Sequence, residues 1–101
     1  MSDLLKNEKH MIKLGDKIYE LTEINLNILA DIEDEFGCSI VELQEKFNQK
    51  QASTLRSLAW VMLKGKNPDL TREAIGENID LHNLKDVAEK LFAVIKGSID
   101  G

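Results

Sequence analysis

The chain has few of the residues that build disulfides, metal clusters and membrane spans. Cys38 is its single cysteine, which excludes an internal disulfide and a cysteine-based metal cluster. The longest apolar run, residues 58–63, is far too short to cross a bilayer. The glycines are scattered, so the sequence contains no phosphate loop and no dinucleotide fingerprint. We therefore predict no membrane partner and no cofactor.

Histidine is also scarce, and His10 and His82 are far apart with no metal-ligand spacing. Asp80 and His82 could supply two ligands, but Asp80 equally serves as a helix cap or a turn residue. Cys38 has no histidine near it in sequence, no serine lies in a nucleophile-elbow context, and no two carboxylates are marked as a pair. We therefore predict no catalytic residue, no metal site and no enzymatic activity.

The N-terminal sequence MSDLLKNEKH has neither an apolar segment nor a small-residue cleavage site, which argues against secretion and favours the cytoplasm. A length of 101 residues, of which 43% are hydrophobic, provides one domain with one core. We expect a flexible N-terminus at residues 1–10 and a flexible C-terminus at residues 98–101. Residues 11–97 are predicted to form a single helical domain that begins with a β-hairpin.

The hairpin is predicted from residues 11–21, MIKLGDKIYEL. Gly15 and Asp16 suit the two central positions of a type II′ turn. This turn fixes three cross-strand pairs: Leu14 with Lys17, Ile12 with Tyr19, and Lys13 with Ile18. The face expected to pack on helices, since an isolated hairpin is marginal in water, carries Ile12, Leu14, Tyr19 and Leu21. The open edges could pair with a neighbouring subunit.

Two helices are predicted next. The first begins near residue 25 or 26 with Asn25 as its cap and ends at Gly37. Its expected inward residues are Leu26, Leu29, Ile32 and Phe36. Ser39 and Glu42 form a capping box that starts the second helix, whose expected inward residues are Ile40, Leu43 and Phe47. The polar residues 48–52 are interpreted as a loop.

The central helix is predicted at residues 53–65, STLRSLAWVMLKG, with Ser53 as its cap and Gly65 as its end. It is apolar nearly all round, which is typical of a helix surrounded by protein. After a turn at residues 66–69, Thr71 caps a fourth helix with Ala74, Ile75 and Ile79 buried. A fifth helix, at residues 83–96, ends at Gly97 and has an apolar stripe of Leu84, Val87, Ala88, Leu91, Phe92 and Ile95. The predicted fold is mainly α: a compact bundle of about five helices with a small N-terminal β-hairpin.

The net charge of −5 is unevenly distributed. Residues 46–72 carry six basic residues and one acid, which gives +5 and leaves −10 for the remainder. This polarity suits a protein that self-associates or docks on a partner, although uneven solvation of surface helices explains it as well. A helix-turn-helix is a further hypothesis, but the central helix offers chiefly Arg56 and Lys64, and the net charge opposes phosphate contacts. We therefore predict no nucleic-acid partner.

Six residues are candidate partner contacts. The acids are a cluster at the end of the first helix, which is either a docking surface or a solvated face. Trp60 is either part of the core or an interface anchor, a role in which tryptophan is enriched. The six candidates are Asp31, Asp34, Glu35, Arg56, Trp60 and Lys64.

Four stretches follow one another closely: IKLGDKIYEL, the helix ending in DEFG with its SIVEL capping box, LRSLAWVMLKG and NPDLTREAIGENID. Together, over about residues 11–95, they resemble the small tail assembly chaperones of long-tailed bacteriophages and prophages, particularly those of Gram-positive hosts. The resemblance implies a cytoplasmic protein of the bacterial host cell that coats the tape measure protein and recruits tail tube subunits. It implies no catalytic residue. In many members a ribosomal frameshift yields a longer second product.

Two hypotheses follow from these patterns. In the first, apolar grooves shield partner helices reversibly while charged segments set register, and copies of the chain associate head to tail between residues 46–72 and residues 31–35. In the second, the chain is a small bacterial adaptor or regulatory domain. A tail tube gene upstream and a tape measure gene downstream would favour the first.

Overall fold

The fold begins with a β-hairpin that has a glycine in its tight turn. The computed structural model describes residues 11–100, with side chains as far as Gly97, so the segment predicted to be flexible at residues 1–10 lies outside it. Strands β1 (Met11–Leu14) and β2 (Lys17–Glu20) pair antiparallel in the predicted register. Gly15 has a φ of 63° and Asp16 has a negative φ, as a type II′ turn requires. Ile12, Leu14 and Leu21 are buried on the inner face, which confirms the prediction.

Helix α1 (Leu26–Phe36) has both predicted caps. The Asn25 side chain accepts a hydrogen bond from the backbone N–H of Ile28, and Gly37 ends the helix in the left-handed conformation. The predicted inward face is wrong at its start, because Leu26 is 81% exposed and Ile28 is buried instead. The two positions are separated by about 200° around the helix, so one cannot replace the other on the same face.

Helix α2 (Ile40–Gln49) begins with the predicted capping box. Leu43 is fully buried, while Ile40 and Phe47 are half-buried against the core. The predicted loop at residues 48–52 is wrong. Lys50 alone separates α2 from α3 (Gln51–Leu63), so α3 begins before Ser53 and has no side-chain cap.

Helix α3 is the centre of the bundle, as predicted. Seven of its residues are buried, and it packs against α1, α2, α4 and α5. Its predicted end at Gly65 is wrong, since Lys64 is the C-cap in right-handed conformation and Gly65 has no positive φ. The chain then turns through residues 64–69, and Thr71 caps α4 (Arg72–Asn78) by accepting from the N–H of Ala74.

Helix α5 (Leu84–Asp100) is the longest, and it continues past Gly97, where it was predicted to end. Its apolar stripe is confirmed, with Val87, Ala88, Leu91 and Ile95 buried and Leu84 and Phe92 half-buried. The helix packs against α3 and against β1, so the inner face of the hairpin is closed by helices. The described part of the chain is mostly helical with one small antiparallel sheet, and none of its helices could span a membrane.

Candidate functional site

The solvent-facing side of α3 is a basic and aromatic stripe. Arg56, Trp60 and Lys64 recur at every fourth position, so they lie along one side of the helix. Arg56 is exposed, whereas Trp60 and Lys64 are half-buried. Three of the six predicted partner contacts therefore share one surface, which we call the α3 stripe.

Trp60 contacts two cations. The guanidinium carbon of Arg72 lies 4.4 Å from the Trp60 ring centroid, and the Lys64 ammonium lies 4.5 Å from it. Arg72 Nη2 also donates to Oε1 of Glu35 at 2.8 Å. Since Glu35 lies in the last turn of α1 and Arg72 is the first residue of α4, this pair links the two helices beside Trp60. Sequence reasoning missed Arg72 because its partners lie 12 and 37 positions away.

The acidic cluster is only partly engaged. Glu35 belongs to the ion pair with Arg72, while Asp31 is half-buried and Asp34 is exposed on α1. Lys46 is used within the chain too, because its ammonium donates to the carbonyl of Phe36 at 2.7 Å. A head-to-tail association between these segments would therefore rely on their other charges.

A small groove lies beside the α3 stripe, between α3 and α4. Its volume is about 310 Å³, and it is lined by Ala52, Ser53, Leu55, Arg56, Gly76, Ile79 and Leu84. Leu55 is buried and Ile79 is half-buried, so the floor is apolar, and three of the lining residues have small side chains or none. Arg56 is the one charged residue of the lining. No acid in the described part of the chain lies within ion-pair distance of it.

A second groove, of about 460 Å³, lies between α2 and α5. Phe47 and Phe92 meet in it edge to face, with ring centroids 5.6 Å apart. Leu81, at one end, is 91% exposed. Sequence reasoning assigned Phe47 and Phe92 to the core and gave Leu81 no role. The sequence feature that could have identified Leu81 is its position as an isolated leucine between Asp80 and His82, three residues before the apolar stripe of α5 begins.

The outer edge of the hairpin is partly closed. The side-chain amide of Asn67 donates to the carbonyls of Glu20 and Leu63, at 2.9 and 2.8 Å. The N–H of Thr22 donates to the carbonyl of Met62. These bonds tie the end of β2 to the C-terminus of α3 and occupy one carbonyl at the end of that strand.

A carboxylate in the capping box of α2 has a shifted pKa. The pKa of Glu42 is lowered because the backbone N–H and the hydroxyl of Ser39 both donate to its carboxylate. Within residues 11–97, no three side chains of histidine, cysteine, aspartate or glutamate form a group that could hold a metal ion.

No protein-family model, curated protein or solved structure matches this chain.

Proposed function

We propose that this chain is a tail assembly chaperone of a long-tailed bacteriophage or prophage. In the cytoplasm of the bacterial host, it would hold helices of the tape measure protein and recruit tail tube subunits. The sequence resemblance supports this proposal, and the observation that carries it is the groove between α3 and α4. That groove combines an apolar floor with an arginine that has no acidic partner among the described residues.

The groove suits an apolar side chain carried on a helix. Ala52 and Ser53 have short side chains, so an approaching helix can come close to the backbone of α3. Leu55 and Ile79 then cover its apolar side chain. Gly76 of α4 leaves room for the aliphatic part of Arg56, whose Cδ lies 3.4 Å from the place that a Cβ of Gly76 would take.

The α3 stripe supplies the polar contacts. Arg56 is at the rim and Lys64 lies two turns further along, so acids spaced by two turns on a partner helix would meet both cations. Because the floor is shallow and the cations are near solvent, such binding is reversible. A chaperone that leaves its partner needs that property.

Co-expression tests the proposal. The tape measure protein of the same gene cluster is produced in bacteria alone, with this chain, or with its Arg56→Glu variant, and the soluble fraction is measured after centrifugation. We expect the wild-type chain to keep the tape measure protein soluble. The Arg56→Glu variant should fail because it places an acid where the partner presents one.

Lys17→Glu is the matched control, since it makes the same charge change at an exposed residue of the hairpin. Circular dichroism must show that both variants are folded. A tape measure protein that is equally insoluble with and without the wild-type chain would overturn the proposal and favour an adaptor function. Equal protection by Arg56→Glu and wild type would remove the groove from the mechanism.

A further inference from the structure

The groove between α2 and α5 has an apolar floor, and its α5 side carries two charged residues, Lys85 and Glu89. Its floor is formed by Phe47, Leu84, Ala88 and Phe92, and the α2 side of its rim carries Gln44, Asn48 and Gln51. An aromatic centre is typical of the core of a protein interface. Leu81 stands 91% exposed at one end, where a second protein surface would cover it.

The order of residues along α5 is self-complementary. Lys85 and Glu89 lie two positions on either side of Val87, while Leu81, in the turn that precedes α5, lies six positions before Val87 and Phe92 lies five positions after it. If a second α5 runs antiparallel, Lys85 of each copy meets Glu89 of the other. In the same register, Leu81 of each copy meets Phe92 of the other.

The centre of this arrangement permits close approach. Ala88 lies in the groove between the charged pair and presents only a methyl group. The distance from Leu84 to Phe92 along α5 is about 12 Å, so the contact would extend over about two turns of the helix. One surface that contacts its own copy in this way defines a two-fold, isologous interface.

We propose that two copies of this chain dimerise about a two-fold axis through their antiparallel α5 helices, with each copy filling the α2–α5 groove of the other. The occupant is a second copy because, in an antiparallel pair, each Lys85 faces a Glu89 and each Leu81 faces a Phe92. The dimer surface is separate from the α3 stripe, so this inference does not rest on the proposed function.

The mass of the full chain in solution is the first test. Sedimentation equilibrium should give twice the 11.4 kDa of one chain. Leu81→Glu should weaken dimerisation about a hundredfold or more, because it places two charges against two aromatic rings. Val41→Glu is the matched control: Val41 is 88% exposed on α2 outside the groove, and its variant should remain a dimer.

A charge exchange tests the register. Lys85→Glu and Glu89→Lys each place like charges opposite one another in a dimer of identical copies, so each should dissociate about tenfold more readily. An equimolar mixture of the two variants should form a heterodimer, since every contact then pairs opposite charges. The variant carrying both changes should dimerise as the wild type does.

A wild-type chain that stays monomeric at high concentration would overturn the proposal. So would a dimer that is unaffected by Leu81→Glu, or single-charge variants that fail to recover when mixed. If Leu81→Glu instead abolishes binding of a tape measure protein to a monomeric wild-type chain, the groove takes a foreign helix and the self-association is wrong. Loss of function in Arg56→Glu with an intact dimer would separate the two proposals.

Discussion

Steric contacts restrict position 65 to glycine, and this gives a specific prediction. A Cβ added at Gly65 would lie 2.7 Å from Oγ1 and 3.0 Å from Cγ2 of Thr22. The first contact is shorter than real Cβ atoms make and the second is tight, so Thr22 must shift; its backbone is held because its N–H donates to the carbonyl of Met62. Gly65→Ala should therefore overpack the junction between the hairpin and the end of α3.

The magnitude follows from two opposed effects. Overpacking of a well-packed site costs about 1–3 kcal/mol. Replacing glycine by alanine at a permitted backbone conformation stabilises by about 0.4–1 kcal/mol, because the unfolded chain loses freedom. We expect Gly65→Ala to lower the free energy of unfolding by about 1–2 kcal/mol. Each kcal/mol corresponds to a fall of about 4–8 °C in the melting temperature of a domain of this size.

A second substitution should restore the loss. Thr22→Ala removes the two clashing atoms and leaves the Thr22 Cβ at 3.4 Å, an ordinary contact. It also removes a buried hydroxyl that has no hydrogen-bond partner in the part of the chain that the structure describes, so the substitution itself should cost little. The double variant Thr22→Ala with Gly65→Ala is expected to be at least as stable as the wild type.

Urea unfolding, followed by circular dichroism and by the fluorescence of Trp60, measures these effects. Gly97→Ala is the control, because no atom of the described residues lies within 4 Å of its added Cβ and the residue lies inside α5. This control should stabilise the chain by up to about 1 kcal/mol. A Gly65→Ala variant as stable as the wild type, or one that Thr22→Ala does not rescue, would refute the steric reasoning.

Three other substitutions test the contributions of individual side chains. Arg72→Ala should lower the free energy of unfolding by about 1–2 kcal/mol and shift Trp60 emission, because it removes both the ring contact and the ion pair with Glu35; unchanged emission would contradict this. Asn67→Ala should cost about 1–2 kcal/mol in urea unfolding, since two backbone carbonyls lose their donor. The pKa of Glu42 is lowered in the fold, so its carboxylate stabilises the fold at pH values above its ordinary pKa of 4.5, and this stabilisation is lost as the pH falls through the folded pKa. Glu42→Gln should therefore reduce the pH dependence of the free energy of unfolding measured between pH 7 and pH 3.

The hairpin and the first two helix starts could be predicted because local chemistry decides them. A type II′ turn at Gly15 and Asp16 fixes every cross-strand pair of the hairpin. The caps at Asn25 and Ser39 each use a side chain that bonds to a backbone N–H three residues on. These signals need no information from the rest of the fold.

The errors arose where distant residues decide the outcome. Gly65 and Gly97 both suggested helix ends, but the first is required by the proximity of Thr22 and the second lies in open space within α5. The polar residues 48–52 suggested a loop, yet burial of Thr54 and Leu55 against the core begins α3 immediately after Lys50. Tertiary packing overrides local propensity at these places.

Of the candidate site, sequence patterns located the stripe and missed what surrounds it. Arg56, Trp60 and Lys64 share a face because of helical spacing, which is a local property. The contact between Glu35 and Arg72 depends on how α1 and α4 flank α3, and no sequence spacing encodes that. The α2–α5 groove was missed for the same reason, since periodicity assigns Phe47 and Phe92 to a core without saying how fully it closes.

The groove between α3 and α4 arises from the lengths of these two helices. Helix α4 has seven residues against thirteen in α3, so it leaves the first turns of α3 uncovered near Ala52 and Ser53. In the α2–α5 groove, the rings of Phe92 and Phe47 meet edge to face, while α5 packs against α3 and β1. Leu84 lines both grooves, so a change there would disturb both surfaces at once. Arg56 and Leu81 each line one groove alone, and their variants therefore separate partner binding from dimerisation.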